Sequence, residues 1–334
     1  MDNNEKIIIT QARNFGDNIG DTFALIKHAF KPLGKACLYV TGPLVLLFSI
    51  ILGLVQSEFV GGMFGSMNPV NIQKNTDAMN MFTKSAFLIV VGYVLIMVLS
   101  LIIVSLLQAF TYEYMVLYQQ KDYETITHHD VIAGGKKYGF KLVLTNLGVG
   151  ILFFLIFFIV IMGATIGAEV SSVGKTMMTA LIPLAMFFFL ILGMYFAIMF
   201  ILTPVVRVFE LKGFWKSLGR SLKLMFGNFW NTFGLLFILM IIISFMGTIF
   251  MIPYFGVIGF MTFHALDKQA ANLPYLKPLL VFTTSLNGLS TFLYIIPFFS
   301  IGLKYYTLIE KKEGVGIMER VDELIEDNNT TDAE

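Results

Sequence analysis

The sequence predicts an all-α polytopic membrane protein with six transmembrane helices, and its composition, segment lengths and charge distribution each point that way. Hydrophobic residues make up 57% of the 334 residues and charged residues only 13%. Soluble chains average roughly 45–50% apolar and about 25% charged residues. A water-soluble globule cannot bury so much apolar surface, so a chain of this composition is expected in a bilayer.

Six apolar segments are long enough to cross the hydrocarbon core, which takes about 20 residues of helix. The predicted spans are 36–55, 86–109, 142–164, 180–206, 232–252 and 279–302. Prolines lie in or near several of them, where a missing backbone donor favours a kink. These prolines are Pro43, Pro183, Pro204, Pro253 and Pro297.

Basic residues alternate between the two sides of these spans. Of the 23 Lys and Arg residues, 18 lie in the N-terminal segment, the second and fourth connections and the C-terminal tail, and 5 in the other connections. The positive-inside rule then places both termini in the cytoplasm, and we expect a bacterial inner-membrane protein. Residues 1–12 lack the residue order of a cleavable signal peptide, so we expect the N-terminus to be retained and frayed.

The chain divides into a polar N-terminal segment (1–14), a membrane domain (15–312) and an acidic cytoplasmic tail (313–334) expected to be solvated. A recurring sequence closes each even-numbered span: LYQQK at 117–121, VFELK at 208–212 and LIEKK at 308–312. A basic segment containing Phe precedes each odd-numbered span.

These recurrences predict three repeat units, about 22–121, 122–212 and 213–312. Each unit is a cytoplasmic amphipathic helix at the membrane surface followed by a hairpin of two spans. Gly134 and Gly135 interrupt the leading segment of the middle unit. Coincidence in so apolar a chain is the alternative.

The segment 213–230 has the pattern of a basic amphipathic helix. Lys216, Arg220 and Lys223 fall on one side at 100° per residue, and leucines with Met225 and Phe229 fall on the other. This predicts a helix in the membrane interface, with its cations toward anionic headgroups. We expect headgroup or partner binding by Lys216, Arg220, Lys223, Trp215 and Trp230; a linker helix packed on its own protein is the alternative.

A second amphipathic pattern precedes the first span. Its apolar stripe comprises Phe15, Ile19, Phe23, Ile26, Phe30 and Leu33. Spacings of three and four residues place these side chains along one side of a helix. The pattern predicts that this stripe rests on an apolar surface.

The run PVVRVFELKGFWKSLGRSLKLMFGNFWNTFGLLFIL at 204–239 resembles a broad superfamily of six-span bacterial and archaeal membrane proteins. That superfamily includes the membrane domain found beside glycerophosphodiester phosphodiesterases, along with several uncharacterised inner-membrane families. The resemblance covers most of the chain by pattern and this run by residues. It implies a stand-alone membrane module without catalysis, because a phosphodiesterase barrel needs about 250 residues and no soluble segment here approaches that length.

Candidate chemistry is sparse. The predicted spans have almost no ionisable residue near mid-span, which argues against a proton- or sodium-coupled pump. Thr283, Ser285 and Asn287 give the sixth span a polar patch, expected to hydrogen-bond between helices or, alternatively, to line a small cavity. Glu210 and Glu310 are expected to pair with basic residues of a neighbouring interfacial helix, or to form surface ion pairs of little energy.

Metal and cofactor binding are not expected. His128, His129 and Asp130, with Glu124 nearby, cluster in sequence, but adjacent histidines rarely converge on one ion, and a solvated turn is the better interpretation. The pair His264 and Asp267 is a weaker candidate. Phosphate-binding loops and the HExxH and GxSxG motifs are absent from the sequence.

These observations predict a membrane scaffold or interaction module rather than an enzyme. Its expected partners are the lipid bilayer with its anionic headgroups and other membrane proteins, and not nucleic acid. The alternative is an uncoupled transporter or channel for an apolar or lipidic solute, with its path among the Pro-kinked fourth to sixth spans. A wide cavity open to the membrane and lined by Thr283, Ser285 and Asn287 would favour transport, and a tightly packed bundle would favour the scaffold.

Overall fold

The computed structural model describes residues 6–66, 75–170, 175–263 and 276–314, and these ranges are helical without any strand. The helices are α1 (Phe15–Val40), α2 (Gly42–Ser66), α3 (Asn75–Gln120), α4 (His128–Val170), α5 (Lys175–Phe200), α6 (Thr203–Phe209), α7 (Phe214–Met225), α8 (Phe229–Phe263), α9 (Leu276–Gly288) and α10 (Ile295–Glu313). Short 3-10 turns occupy Tyr123–Thr125 and Leu289–Tyr294.

Within those ranges, six stretches of helix are long and apolar enough to cross a membrane, one for each predicted span. They are Gly42–Phe59, Ile89–Gln120, His128–Ile159, Leu190–Phe209, Phe229–Phe263 and Pro278–Glu313. The chain is therefore an all-α polytopic membrane protein, as the sequence predicts. The tail from residue 315, and His264 with Asp267, lie outside the described residues.

Three of the five prolines named above lie at helix starts, whereas Pro183 lies inside α5 and Pro253 inside α8. Pro43 is the second residue of α2, Pro204 lies at the start of α6, and Pro297 lies in the first turn of α10. The first turn of a helix leaves its N–H groups unpaired in any case, so proline fits there without losing a hydrogen bond. The predicted sixth span is accordingly two helices, α9 and α10, joined by the 3-10 turn.

Most of the buried core lies at one end of the bundle, called the packed end below. There α1 and α7 meet the last turns of α3, α6 and α10 and the first turns of α4. Aromatic rings of α3 form its centre: Tyr112 meets Phe209 edge-on at 5.9 Å between ring centroids, and Tyr114 meets Phe299 at 6.0 Å. The packed end is the end that the sequence predicts to be cytoplasmic.

The expectation of a frayed N-terminal segment is wrong for residues 6–13. Arg13 is 4% exposed and pairs with Asp21 at 2.7 Å, while its guanidinium also donates to the carbonyl of Ile9 at 2.7 Å. The backbone N–H of Ile7 donates to the Tyr118 hydroxyl at 3.0 Å. A buried guanidinium with several acceptors therefore fixes this segment on the packed end.

The buried side of α1 matches the predicted apolar stripe only in part. Leu33 of that stripe is buried and Phe15, Ile19 and Ile26 are half-buried, but Phe23 and Phe30 are 38% and 74% exposed. The buried residues include small and polar side chains beside two leucines: Asn18, Thr22, Leu25, Ala29, Leu33, Ala36 and Cys37. Small residues let helices approach closely, whereas large apolar side chains lose nothing by facing lipid.

Gly134 and Gly135 allow α3 and α4 to approach. A Cβ atom on Gly134 would lie 1.9 Å from Glu113 Oε1, and one on Gly135 would lie 2.1 Å from Phe110 Cδ1. Their presence in the middle leading segment thus has a packing reason. That segment continues into its span as the single helix α4, whereas α1 ends before α2 and α7 ends before α8.

Candidate functional site at the packed end

Helix α7 lies with one side against the protein. Its buried residues are Ser217, Leu218, Ser221, Leu224 and Met225. The Ser221 hydroxyl donates to the carbonyl of Met199 at 2.8 Å, which ties α7 to the end of α5. Phe214 packs against Gly148 of α4, where a Cβ atom would come within 2.8 Å of its ring. The alternative interpretation of the sequence, a linker helix packed on its own protein, therefore holds for one side of α7.

The other side of α7 and its flanks are exposed and combine aromatic with basic side chains. Trp215 is 69% exposed, Phe226 75% and Trp230 77%, and Lys216 and Lys223 are exposed beside them. We call these five residues the aromatic–basic surface. Indole rings and lysine stems with charged heads are amphipathic groups that favour a membrane–water boundary.

Arg220 faces neither lipid nor solvent freely, because it bridges two carboxylates. Its Nε donates to Glu210 Oε1 at 3.0 Å, and its Nη2 donates to Glu313 Oε2 at 2.7 Å, with Nη1 on the other Glu313 oxygen. Glu210 follows α6, Arg220 lies on α7 and Glu313 ends α10. The predicted pairing of Glu210 with a basic residue of the neighbouring helix is confirmed, and Glu313 adds a second carboxylate.

Glu210 also accepts from the Tyr305 hydroxyl at 2.8 Å and from the Lys212 ammonium. Burial acts to raise the pKa of Glu210, but the hydrogen bonds from Lys212, Arg220 and Tyr305 outweigh it and hold that pKa below its ordinary value. The hydrogen bond to Glu313 raises the pKa of Arg220 against the effect of its burial. Arg220, Glu210 and Glu313 are thus charged at neutral pH, and the neutral Tyr305 hydroxyl donates to Glu210. We call these four residues the Arg220 cluster.

Lys312 completes the attachment of α7. Its ammonium donates to the carbonyls of Lys223 at 2.6 Å and Phe226 at 2.9 Å, at the C-terminus of α7. A cation at this position satisfies free carbonyls and interacts favourably with the helix dipole. The last turn of α10 therefore holds both the middle and the end of α7. Because Arg220 is occupied, the predicted headgroup role rests on Lys216 and Lys223.

The polar patch of the sixth span lies against α2. Ser285 Oγ donates to the carbonyl of Val281 at 2.7 Å and lies 3.4 Å from that of Ser49 in α2. Thr283 Oγ1 donates to the carbonyl of Leu279 at 2.9 Å, and Asn287 accepts from Ser290 at 3.5 Å. A Cβ atom on Gly288 would lie 1.6 Å from Ser49 Oγ, so α2 and α9 are in close contact here.

A shallow concavity of about 420 Å³ lies elsewhere, on α8. Every residue lining it belongs to that one helix: Phe237, Met240, Ile241, Ser244, Phe245 and Thr248. Its two hydroxyls bond to carbonyls one turn back, at 2.7 and 2.8 Å. Thr283, Ser285 and Asn287 do not line it.

The sequence cluster at 124–130 forms a helix start. Asp130 Oδ2 accepts from the Thr127 backbone N–H at 3.0 Å and from its hydroxyl at 2.8 Å, a capping arrangement for α4. The rings of His128 and His129 lie 4.1 Å apart. In the described part of the chain, no group of three or more His, Cys, Asp or Glu side chains is placed to hold a metal ion.

One residue of interest was missed from the sequence. Lys304, two residues beyond the predicted end of the sixth span, is only 4% exposed. The sequence contains one indication of its role: Lys304 lies four residues after Ser300, so the two side chains share one face of a helix. The predicted end of the sixth span falls between these two residues and separates them.

Comparison of the chain with protein-family models, with curated proteins and with solved structures finds no match. The resemblance of residues 204–239 to the phosphodiesterase-associated superfamily stays a prediction.

Proposed function

We propose that this chain is an integral interaction module of the bacterial inner membrane, which contacts the anionic cytoplasmic leaflet through its aromatic–basic surface. Both termini lie in the cytoplasm, and the module performs no catalysis itself. The observation that carries the proposal is the exposure of Trp215, Phe226 and Trp230 beside Lys216 and Lys223, on α7 and its C-terminal flank, with α7 held by the Arg220 cluster.

The expected interaction energies suit a surface that adjusts the position of α7 in the bilayer. Each lysine near an anionic leaflet contributes about 1 kcal/mol, screened within a Debye length. Two lysines therefore bias the position of α7 without anchoring a chain that six spans already hold. Large aromatic side chains exposed to this degree in water would be unfavourable, and the acyl boundary supplies an apolar environment for them.

The excess of basic residues at the packed end supports a cytoplasmic orientation. Eighteen of the 23 Lys and Arg residues belong to segments predicted to lie on that side. Anionic lipid on the cytoplasmic leaflet and the aromatic–basic surface would then share one side of the membrane.

The transport alternative has less support. Thr283 and Ser285 use their hydroxyls within α9 and toward α2. The α8 concavity is lined by a single helix, so it has the form of a surface groove. A solute path between helices would instead be lined from several of them.

Fluorescence tests the proposal, because Trp215 and Trp230 are the two tryptophans of the chain and both lie on the proposed surface. The full chain is reconstituted in vesicles in which either the anionic or the zwitterionic lipid carries bromine on its acyl chains. We expect both lipids to quench the tryptophans and the anionic lipid to quench more strongly. At about 1 kcal/mol each, every lysine changes the local lipid preference by about fivefold.

Lys216→Gln with Lys223→Gln should remove the preference for anionic lipid while quenching persists. Lys136→Gln with Lys137→Gln is the matched control, since both residues are exposed on α4 at the packed end. Equal quenching by both lipids in the parent protein would contradict the proposal, as would tryptophans that only a water-soluble quencher reaches.

A further inference from the structure

Lys304 is a buried cation without a counter-ion among the described residues. It is 4% exposed, and none of the ion pairs there includes it. Its one hydrogen bond within the described ranges is to Asn231 Oδ1, at the start of α8. An ammonium has three N–H donors, and burial of a charge is unfavourable unless the charge is paired. The remaining donors of Lys304 therefore lack an acceptor and its charge lacks compensation.

A second unused donor lies on α1, on the partner of Ser300, which is one helical turn before Lys304. Asn18 of α1 is 2% exposed, and its Oδ1 accepts from Ser300 Oγ at 2.6 Å. Its Nδ2 is buried without a hydrogen-bond partner. Ser300 and Lys304 are four residues apart on α10, so their side chains lie on the same face of that helix. The orphaned amide N–H groups and the ammonium thus share the junction of α1, α8 and α10.

Asn231 gives this junction a side open to the surroundings. It is exposed, and because its Oδ1 faces Lys304, its own NH₂ group is available as a further donor. It lies in the first turn of α8, where backbone N–H groups add positive partial charge. Trp230, the preceding residue, is 77% exposed and belongs to the aromatic–basic surface.

We propose that Lys304, Asn18 and Asn231 form a binding site for a phosphate-class anion between α1, α8 and α10. Every unused group on these three side chains is a donor, and one of them is charged, so the ligand must be an anion that supplies acceptors. Donors from three helices match a tetrahedral anion with several oxygens better than a planar carboxylate. Inorganic phosphate and the phosphate of an anionic lipid present the same chemistry here.

The test uses the purified full chain in an uncharged detergent and measures its thermal unfolding midpoint. One arm compares sodium phosphate with sodium chloride at equal ionic strength. The other compares micelles containing phosphatidylglycerol with micelles containing phosphatidylcholine. A ligand that binds the folded state raises the midpoint in proportion to its occupancy.

We expect the parent midpoint to rise in at least one arm. A rise with inorganic phosphate identifies a free anion as ligand, and a rise with phosphatidylglycerol alone identifies a lipid headgroup. Lys304→Met should abolish the rise and, without any anion, should unfold at a higher temperature than the parent because the unpaired buried charge is gone. Asn18→Leu should weaken anion binding about tenfold, because it removes one hydrogen bond to a charged ligand. This variant tests the proposal on its own if Lys304→Met does not fold.

Lys216→Gln with Lys223→Gln should keep the rise, since those lysines belong to the aromatic–basic surface and not to this site. This control separates failure of the anion site from failure of the proposed function. Absence of a rise in both arms for the parent, or a rise that Lys304→Met and Asn18→Leu retain, would overturn the proposal.

Discussion

Arg220 and Glu313, 93 residues apart in sequence, form a two-pronged ion pair at the packed end, with Nη2 and Oε2 separated by 2.7 Å. The pair joins the middle of α7 to the last residue of α10. With Glu210 on the same guanidinium, it also reaches the end of α6. One side chain therefore connects two span ends to the helix that presents the aromatic–basic surface.

Loss of this connection should destabilise the packed end. Arg220→Met is expected to lower the free energy of unfolding by about 1–3 kcal/mol, the range for hydrogen bonds to charged groups, with partial exposure favouring the lower part. Arg220→Lys should rescue incompletely, because an ammonium cannot make the two-pronged contact. Denaturant unfolding in micelles measures the change, and hydrogen exchange of residues 214–225 localises it.

Lys216→Met is the control, as an exposed residue on the same helix that should change stability by less than about 0.5 kcal/mol. Equal effects of Arg220→Met and Lys216→Met would show that the Arg220 cluster does not hold α7.

The contact between α3 and α4 predicts a strong position dependence among the glycines of α4. Gly135→Ala should destabilise by about 1–3 kcal/mol through overpacking, because the new Cβ would lie 2.1 Å from the Phe110 ring. Gly134→Ala should have a smaller effect, since the clashing atoms belong to the flexible Glu113 side chain.

Gly150 in the same helix has nothing within 4 Å of its Cβ position, so Gly150→Ala should stabilise by up to about 1 kcal/mol. Thermal unfolding of the three variants measures the order. Similar values at Gly135 and Gly150 would contradict this description of the α3–α4 contact.

Acid should weaken the Arg220 cluster. Because the folded-state pKa of Glu210 lies below its ordinary value of 4.5, ionised Glu210 stabilises the fold above pH 4.5. That contribution is lost as the pH falls from about 4.5 through the lower folded-state pKa. The midpoint of unfolding, measured from pH 7 to pH 3, should therefore fall more for the parent than for Glu210→Gln, whereas exposed Glu124→Gln should follow the parent. If the unfolding midpoints of the parent and Glu210→Gln fall in parallel with pH, Glu210 does not stabilise the fold through the Arg220 cluster.

The repeat predicts that residues 22–121, 122–212 and 213–312 superpose as hairpins with a leading helix. Superposition of the three units in an experimental structure tests this. The idea fails when the units share no common order of leading helix and two spans. The continuous helix α4 predicts that the middle unit fits least well at the junction of leading segment and span.

The spans were predictable from the sequence because long apolar runs have few other uses. The pairing of Glu210 was predictable because a carboxylate at a span end stood beside a basic helix. The buried sides of α1 and α7 were predictable only in part: Leu33 and Leu218 are buried, but Phe30 and Trp215 are exposed. Asn18, Ser217 and Ser221 lie on the buried sides as well. Large apolar side chains lose nothing by facing lipid, so in a membrane protein apolar character alone does not identify the side that packs on the protein.

Two buried cations also escaped sequence analysis, for a related reason. Arg13 and Lys304 both lie in segments that the sequence predicts to be outside the membrane spans. Arg13 finds its acceptors locally, on Asp21 and Ile9. Lys304 instead hydrogen-bonds with Asn231, 73 residues away, so its spacing from Ser300 alone could not show that it is buried.

The orientation of α7 is the central claim, and thiol labelling tests it most directly. Cys37 is buried and is the one cysteine of the chain, so Cys37→Ala provides a background without thiols. On that background, Lys216→Cys should react with a membrane-impermeant maleimide in inverted vesicles and not in intact cells. Asn75→Cys, Lys175→Cys and Lys268→Cys, in the predicted exoplasmic connections, should react in intact cells. Labelling of Lys216→Cys in intact cells would contradict the account, because it would place the aromatic–basic surface on the outer side of the membrane.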